Sequence, residues 1–235
     1  MVDGNPFKPG SGLDPPPQRL FYRGTGGGRM GIAERIDRIV EGRSLLKHPF
    51  YRDWSDGKLS LESLAGYSME YYQLVKAVPL MMDPIIRAAP TGARAELEEN
   101  RQEEADHVAP WEAFAGGLGV SAADLADYTG LEKTRRAVSD LVGLAGEGPA
   151  EGAAAMYALE LEIPKISATK LEGLSEFYGI TSAAATEYFE LHMEADVRHA
   201  ASWRGLLRDG TEGAAERSMD AQNLLLDACY EEYCS

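Results

Sequence analysis

Apolar residues recur at helical spacing along almost the whole chain from Gly31 onward, and this pattern restricts the fold more than any other feature. Ile32, Ile36 and Ile39 mark the first such stretch, which we expect to continue to about Leu46. Further helices are expected over residues 60–89, 93–115, 131–145, 150–172, 186–208 and 212–233, with a short one after Ser121. No stretch alternates apolar and polar residues for long enough to form a strand. The sequence therefore predicts an all-α bundle of about seven helices.

Local signals support the helix boundaries at several points. Asp56-Gly57 is typical of a turn, and Ser60, which precedes an apolar run, is a good N-cap residue. Pro79 and Pro84 lie inside the helix predicted over residues 60–89. Because proline removes a backbone hydrogen bond, we expect this helix to kink or break there.

Residues 1–29 differ from the rest of the chain because Pro and Gly are frequent and apolar periodicity is weak. Such a segment buries too little apolar surface to offset the entropy lost on ordering. We therefore expect a disordered extension over residues 1–29 and one helical domain over residues 30–235.

The chain is strongly acidic, with 38 Asp and Glu residues against 23 Lys and Arg residues and a formal net charge of −15. This charge repels nucleic acids and anionic membranes, so we expect neither as a partner. No apolar run approaches the ~20 residues of a membrane span, and the N-terminus lacks the apolar region of a signal peptide. We therefore expect a cytoplasmic protein.

The two cysteines, Cys229 and Cys234, exclude a disulfide framework, and we expect no cysteine in the helices that build the core.

Three polar residues in the stretch ELHMEADVRHAASW share one side of a predicted helix. His192, Asp196 and His199 are spaced i, i+4 and i+7, so their side chains project from one narrow stripe. Two imidazoles with a carboxylate suit iron or manganese better than a closed structural zinc site. Since a solvated polar face has the same spacing, the stripe alone leaves both interpretations open.

Two other predicted helices carry polar groups that suit the same ions. Glu104 and His107 are spaced i, i+3, and Glu103 is an alternative to Glu104. Glu160 lies in an otherwise apolar stretch, where a carboxylate is costly unless it is paired or bound to a metal. With the stripe, three helices supply six oxygen and nitrogen donors. Six such donors can hold two iron ions, or an iron and a manganese, and leave positions open for dioxygen.

With these motifs, residues 32–208 resemble the haem-oxygenase-like dimetal oxidases, in particular the para-aminobenzoate synthases related to the chlamydial protein associating with death domains. More distantly, the chain resembles the PqqC and TenA families. The resemblance implies the haem-oxygenase-like fold, and it implies six metal ligands: Glu104, His107, Glu160, His192, Asp196 and His199. Two features depart from the chlamydial pattern. The first Glu and its His are closer together here, and Leu159 replaces a tyrosine before the lone Glu.

The same resemblance implies an oxygen-dependent synthesis of para-aminobenzoate for folate, with two metal ions and an external reductant. In this subgroup the protein consumes its own tyrosine side chain as the ring, and an internal lysine is implicated as the amino donor. The corresponding residues are Tyr51 and Lys170. The residues alone favour a core aromatic for Tyr51 and a surface lysine near a helix C-terminus for Lys170. The sequence does not rank the other candidate tyrosines, which are Tyr67, Tyr71, Tyr72 and Tyr157.

Three alternative functions share parts of this pattern. A dimetal oxygenase that acts on an external amine, amino acid or fatty acid would use the same six ligands. A metal-free thiaminase-like enzyme would need a cysteine nucleophile inside the bundle, which we do not expect here. A helical interaction protein would need no metal at all. A homodimer is the default expectation for the fold.

Overall fold

A computed structural model describes residues 30–234, and every regular element in this part of the chain is helical. The predicted all-α class is therefore confirmed, whereas the disorder predicted for residues 1–29 lies outside the described residues. In chain order the elements are α1 (Ile32–Gly42), a 3₁₀ turn (Leu45–Lys47), α2 (Pro49–Ser55), α3 (Leu61–Ala88), α4 (Thr91–Asp106), α5 (Val108–Gly117), α6 (Ala122–Asp127), α7 (Glu132–Glu147), α8 (Pro149–Glu160), α9 (Ile163–Glu176), α10 (Ala183–Leu206) and α11 (Glu212–Tyr233).

Residues 30–234 form eleven α-helices, more than the sequence predicted, because α2 was not predicted and the predicted helices over residues 93–115 and 150–172 are each divided. A proline has no N–H group to donate to the carbonyl four residues earlier. Pro110 lies four residues after Asp106, where α4 ends, and Pro164 lies four residues after Glu160, where α8 ends. Both breaks therefore occur beside predicted metal ligands.

The break expected at Pro79 or Pro84 is absent, since α3 continues through both prolines over 28 residues. This helix packs against α4, α5, α7, α8 and α11. Burial on so many sides stabilises the helix enough to offset the hydrogen bonds that the prolines remove.

Helix α8 runs through the middle of the bundle, in contact with α3, α7, α10 and α11. All nine residues from Gly152 to Glu160 are buried. Small side chains make this close packing possible, because alanines occupy four of these positions: Ala153, Ala154, Ala155 and Ala158. The last residue of this central helix is Glu160, so its carboxylate is placed in the interior. Helix α10 packs on α5, α8 and α9, which directs the stripe that begins at His192 towards the same region.

The expectation that no cysteine lies in the core is wrong, because Cys229 is buried in α11. Cys229 follows Leu225 and Leu226 by one helical turn in the predicted helix 212–233. Helical spacing therefore places it on the same apolar, packed face. Burial raises the pKa of the Cys229 thiol well above its ordinary value, so the group stays protonated and is a poor nucleophile.

Across the described helices, none combines the length and the apolar composition that crossing a membrane requires.

Candidate metal site and the adjoining tyrosines

Five of the six predicted ligands meet in the interior of the bundle as two groups that share one carboxylate. Donor atoms of Glu104, His107 and His192 lie within 4.8 Å of one another, and so do donor atoms of Glu104, Asp196 and His199. All five side chains are buried. Since Glu104 belongs to both groups, its carboxylate would help to hold both ions of a dimetal group.

Glu160, the sixth predicted ligand, faces the same space from the end of α8. It lines one small cavity together with Glu104, His192 and Asp196. Burial and the neighbouring charges of Asp196 and Glu104 raise the pKa of Glu160 well above its ordinary value. The indole N–H of Trp203 donates to Glu160 Oε2 at 2.7 Å, which leaves Oε1 as the free donor atom.

The unpartnered polar atoms of the interior concentrate at this site. Within residues 30–234, seven buried side-chain oxygen or nitrogen atoms have no hydrogen-bond partner. Five of them belong to predicted ligands, namely Glu104 Oε1, His107 Nδ1, Glu160 Oε1, Asp196 Oδ2 and His199 Nδ1. Buried polar atoms without partners are costly, and divalent cations would satisfy all five at once. The mixture of imidazole and carboxylate donors suits iron and manganese, so the residues present fit a dimetal group.

Hydrogen bonds behind the ligands orient two of the imidazoles. His192 Nδ1 lies 2.7 Å from the backbone carbonyl of Tyr188, which can only accept, so Nε2 is left for a metal. His199 Nε2 lies 2.8 Å from a carboxylate oxygen of Glu103, which leaves Nδ1 facing Glu104 and Asp196. Outer partners of this kind fix the tautomer and the direction of a histidine ligand.

The same contacts distinguish Glu103 from Glu104, the two glutamates between which the sequence left the choice of ligand open. Glu104 is 6 % exposed and belongs to both donor groups, whereas the Glu103 side chain is 30 % exposed and also accepts from Arg198. The geometry therefore favours Glu104 as the ligand and Glu103 as the group that positions His199.

Lys170 is buried, so the alternative of a surface lysine near a helix end is wrong. Its amine lies among tyrosines. Lys170 Nζ donates to the hydroxyl of Tyr67 at 2.6 Å and lies 5.5 Å from the centre of the Tyr51 ring. The hydroxyl oxygens of Tyr51 and Tyr67 are 3.5 Å apart. Burial lowers the pKa of Lys170 to about 7, so much of the amine is neutral at neutral pH.

Aromatic rings connect this amine with the predicted ligands. Tyr71, whose ring centre is 4.9 Å from Lys170 Nζ, lines the cavity beside the ligands. Its ring also lies 5.0 Å from that of Trp111, which in turn lies 4.7 Å from Tyr188. Tyr188 stacks on His192 at 4.0 Å. Tyr51, Tyr67 and Tyr71 are therefore the candidate tyrosines around the amine, and Tyr71 links them to the ligands. Tyr72 and Tyr157 instead bond to Glu112 and Asp37.

The cavity between the ligands and Tyr71 is small. Its volume is about 30 Å³, and five apolar side chains contribute to its lining: Leu74, Val75, Val78, Leu159 and Ile163. A water molecule needs roughly 10–15 Å³ in this measure, and sites for small organic ligands usually have roughly 300–1,000 Å³. This space fits dioxygen or water but not an added aromatic compound.

Sequence reasoning missed two residues that contact the ligands directly. Tyr188 precedes His192 by four positions and Trp203 follows His199 by four. Both therefore lie on the same side of α10 as the stripe, and extending the i, i+4 spacing in each direction would have found them.

Comparison with known proteins agrees with this arrangement. A family profile described as "iron-containing redox enzyme" matches residues 66–228, a range that includes the six predicted ligands and Lys170 but not Tyr51. A 4-aminobenzoate synthase of Chlamydia muridarum is 31% identical over 207 residues, with 86% of this chain and 88% of the relative covered. A 4-aminobenzoate synthase of Nitrosomonas europaea is 32% identical over 226 residues, with 86% and 92% covered.

A solved structure shows the same architecture at low sequence identity. The crystal structure of a TenA homologue from Pseudomonas syringae superposes with a TM-score of 0.75 at 17% identity, and the alignment covers 85% of this chain and 92% of that one. The predicted haem-oxygenase-like, TenA-like fold is thereby confirmed. The chain belongs to the family of iron-containing redox enzymes that includes the 4-aminobenzoate synthases.

Proposed function

We propose that this protein makes 4-aminobenzoate in an oxygen-dependent reaction, with the side chain of its own Tyr51 as the ring and Lys170 as the amino donor. The observation that carries the proposal is the place of Lys170. A buried amine with a pKa near 7 lies against tyrosine rings, one aromatic layer away from six candidate metal ligands. A structural role alone does not require a buried amine there, because an apolar side chain would fill the same space without the cost of burying a charge.

The shape of the interior supports an internal substrate. The cavity beside the ligands holds about 30 Å³, which leaves no space for an added aromatic molecule. An oxygenase acting on an external amine, amino acid or fatty acid would need a larger site next to the same ligands. The internal tyrosines already occupy that place, with Tyr71 in the cavity wall and Tyr51 and Tyr67 behind it.

When bound, two ions, either two irons or an iron with a manganese, would activate dioxygen and supply the oxidising equivalents, with electrons from an external reductant. The residues of the chain provide the remaining parts. Burial raises the pKa of Tyr51 well above its ordinary value, so its phenol is protonated and must lose a proton when it loses an electron. The Tyr67 hydroxyl, 3.5 Å away, relays this proton, because it takes up the proton of Tyr51 and passes its own to the neutral amine of Lys170. Tyr67 and this amine are in hydrogen-bond contact at 2.6 Å.

The proposal includes dioxygen and a reductant as partners, a cytoplasmic location and a homodimer. The net charge of −15 supports the expectation that nucleic acids and anionic membranes are not partners.

The first test is a single turnover of protein loaded with Fe(II), with or without Mn(II), under anaerobic conditions and then exposed to air. Mass spectrometry of small molecules should find 4-aminobenzoate, and intact-protein mass should show the loss of a tyrosine side chain together with the loss of the amino group of Lys170. Tyr51→Phe and Lys170→Arg should both abolish the product with metal content unchanged. Tyr72→Phe is the matched control, because its hydroxyl bonds to Glu112 away from the amine. Normal product from Tyr51→Phe or Lys170→Arg would refute the proposed internal donors.

A further inference from the structure

A second, larger groove lies on the outer side of the candidate metal site, between the α4–α5 junction and α10. Its volume is about 700 Å³. Five carboxylates and one cation line it: Glu103, Asp106, Glu187, Glu190, Glu194 and Arg198. Arg198 is already paired with Glu103, so the remaining four carboxylates dominate the charge of the groove.

Three of these carboxylates form a row on one helix. Glu187, Glu190 and Glu194 are exposed and spaced i, i+3 and i+7 along α10, so they share one face. Within the described residues none of the three has an ion-pair or hydrogen-bond partner. Like charges at this spacing destabilise a helix, and a groove lined with one sign of charge concentrates ions of the opposite sign.

One residue on the inner wall of the groove, His107, is a predicted metal ligand. His107 lines the groove, is only 6 % exposed, and carries a buried Nδ1 atom without a hydrogen-bond partner. The same side chain belongs to the donor group with Glu104 and His192. It lies at the break between α4 and α5, whose junction forms one side of the groove. His107 therefore connects the acidic groove with the interior site.

We propose that this groove is the entry route for divalent iron and manganese, which Glu187, Glu190 and Glu194 concentrate at the surface and His107 receives. This inference rests on the proposed dimetal centre. Exposed carboxylates bind such ions through oxygen and release them readily, while a buried imidazole with neighbouring carboxylates holds them more firmly. The small cavity on the other side of the ligands is poorly suited to a hydrated cation, because its volume of about 30 Å³ is too small for an ion with its shell of water molecules.

The test compares metal uptake by the wild type with uptake by the combined variant Glu187→Gln, Glu190→Gln and Glu194→Gln. Metal-free protein is mixed rapidly with Mn(II), and the spectrum of the free ion in electron paramagnetic resonance follows its uptake. We expect uptake to slow by about three- to tenfold at low salt and the difference to shrink at high salt, with the final stoichiometry unchanged. The matched control is Glu172→Gln, Glu176→Gln and Glu216→Gln, which removes the same charge from exposed positions outside the groove.

Each outcome decides between defined alternatives. Slower uptake in the groove variant alone supports the route. Equal rates in wild type and groove variant, or equal slowing in both variants, would overturn it, because the groove would then act no differently from any other acidic surface. A wild type that takes up neither Mn(II) nor anaerobic Fe(II) would overturn the dimetal centre itself. As a second readout, the metal-free groove variant should melt at or above the wild-type temperature, and a lower one would show that these carboxylates stabilise the fold.

Discussion

Lys170 occupies a position that costs the folded protein free energy. Its side chain is 3 % exposed, and its amine has the Tyr67 hydroxyl as its hydrogen-bond partner. The titratable groups that face it are Tyr51 on α2, Tyr67 and Tyr71 on α3, and Cys229 on α11, and within residues 30–234 no carboxylate pairs with it. Desolvation therefore outweighs the opposing effect of the Cys229 thiol and lowers the pKa to about 7.

This shift predicts that Lys170→Met stabilises the metal-free protein in a pH-dependent way. Between about pH 7 and the ordinary lysine pKa of 10.5, the amine is protonated in the unfolded chain and neutral in the folded one. Its penalty is therefore largest below about pH 7 and fades as the pH rises towards 10.5. At pH 6 we expect the variant to melt several degrees above the wild type, a difference that shrinks by pH 9.5, as thermal unfolding would show.

Lys165→Met provides the control on the same helix, because Lys165 is exposed. Its melting temperature should follow that of the wild type at both pH values. A Lys170→Met variant that melts no higher than the wild type at pH 6 would mean that the amine is better solvated than its burial indicates.

At the scale of the helices, short-range signals predicted much of the structure. Ser60 caps α3 through the Ser63 N–H at 3.0 Å, and the turn at Asp56-Gly57 has the positive φ of 65° that glycine permits. Such features depend on a few neighbouring residues, so the sequence shows them directly. Prolines are less decisive, because helices end before Pro110 and Pro164 whereas α3 continues through Pro79 and Pro84, so packing decides whether a proline breaks a helix.

The candidate site was predictable to a similar extent. The stripe on α10 lies within one helix, and its spacing predicted that His192, Asp196 and His199 face one way. The contact of Lys170 with Tyr67 joins residues 103 positions apart on two helices, and only the packing of the bundle brings them together. Helical periodicity shows which residues lie on one face, but not which face of another helix meets it.

The packing of α2 against α9 predicts that Gly173→Ala impairs the proposed reaction without disturbing the ligands. A Cβ atom at Gly173 would lie 2.6 Å from Cδ1 and Nε1 of Trp54, a buried side chain with no free space around it. Helix α2 would have to move away from α9, and Tyr51 would move away from Lys170. We expect a loss of about 1–3 kcal/mol in unfolding free energy and a lower yield of 4-aminobenzoate, at unchanged metal stoichiometry.

Gly143→Ala is the matched control for this substitution. Gly143 lies within α7, and a Cβ atom there would meet nothing within 4 Å. Since alanine favours the helix, this variant should gain about 0.5–1 kcal/mol and keep the wild-type yield. An equal yield from the Gly173→Ala protein would show that the contact between α2 and α9 does not position the tyrosine.

At the scale of the whole molecule, the acidic interior links metal content to stability. Three carboxylates and three imidazoles are buried together around five unpartnered atoms, at a cost to the metal-free fold. The unfolded chain does not hold these six groups together, because they come from three different helices, α4, α8 and α10, and from the junction between α4 and α5. Ions that bind the assembled site therefore stabilise the folded state alone.

This linkage predicts a higher melting temperature for protein loaded with Mn(II) or with anaerobic Fe(II). An ion present at one hundred times its dissociation constant contributes about 2.7 kcal/mol, which corresponds to roughly 5–11 °C for a chain of this size. Glu104→Gln should abolish most of this shift, because Glu104 belongs to both donor groups. Glu103→Gln should keep part of it, because Glu103 only positions His199. The opposite order of the two variants would identify Glu103 as the metal ligand and reverse the assignment made from burial.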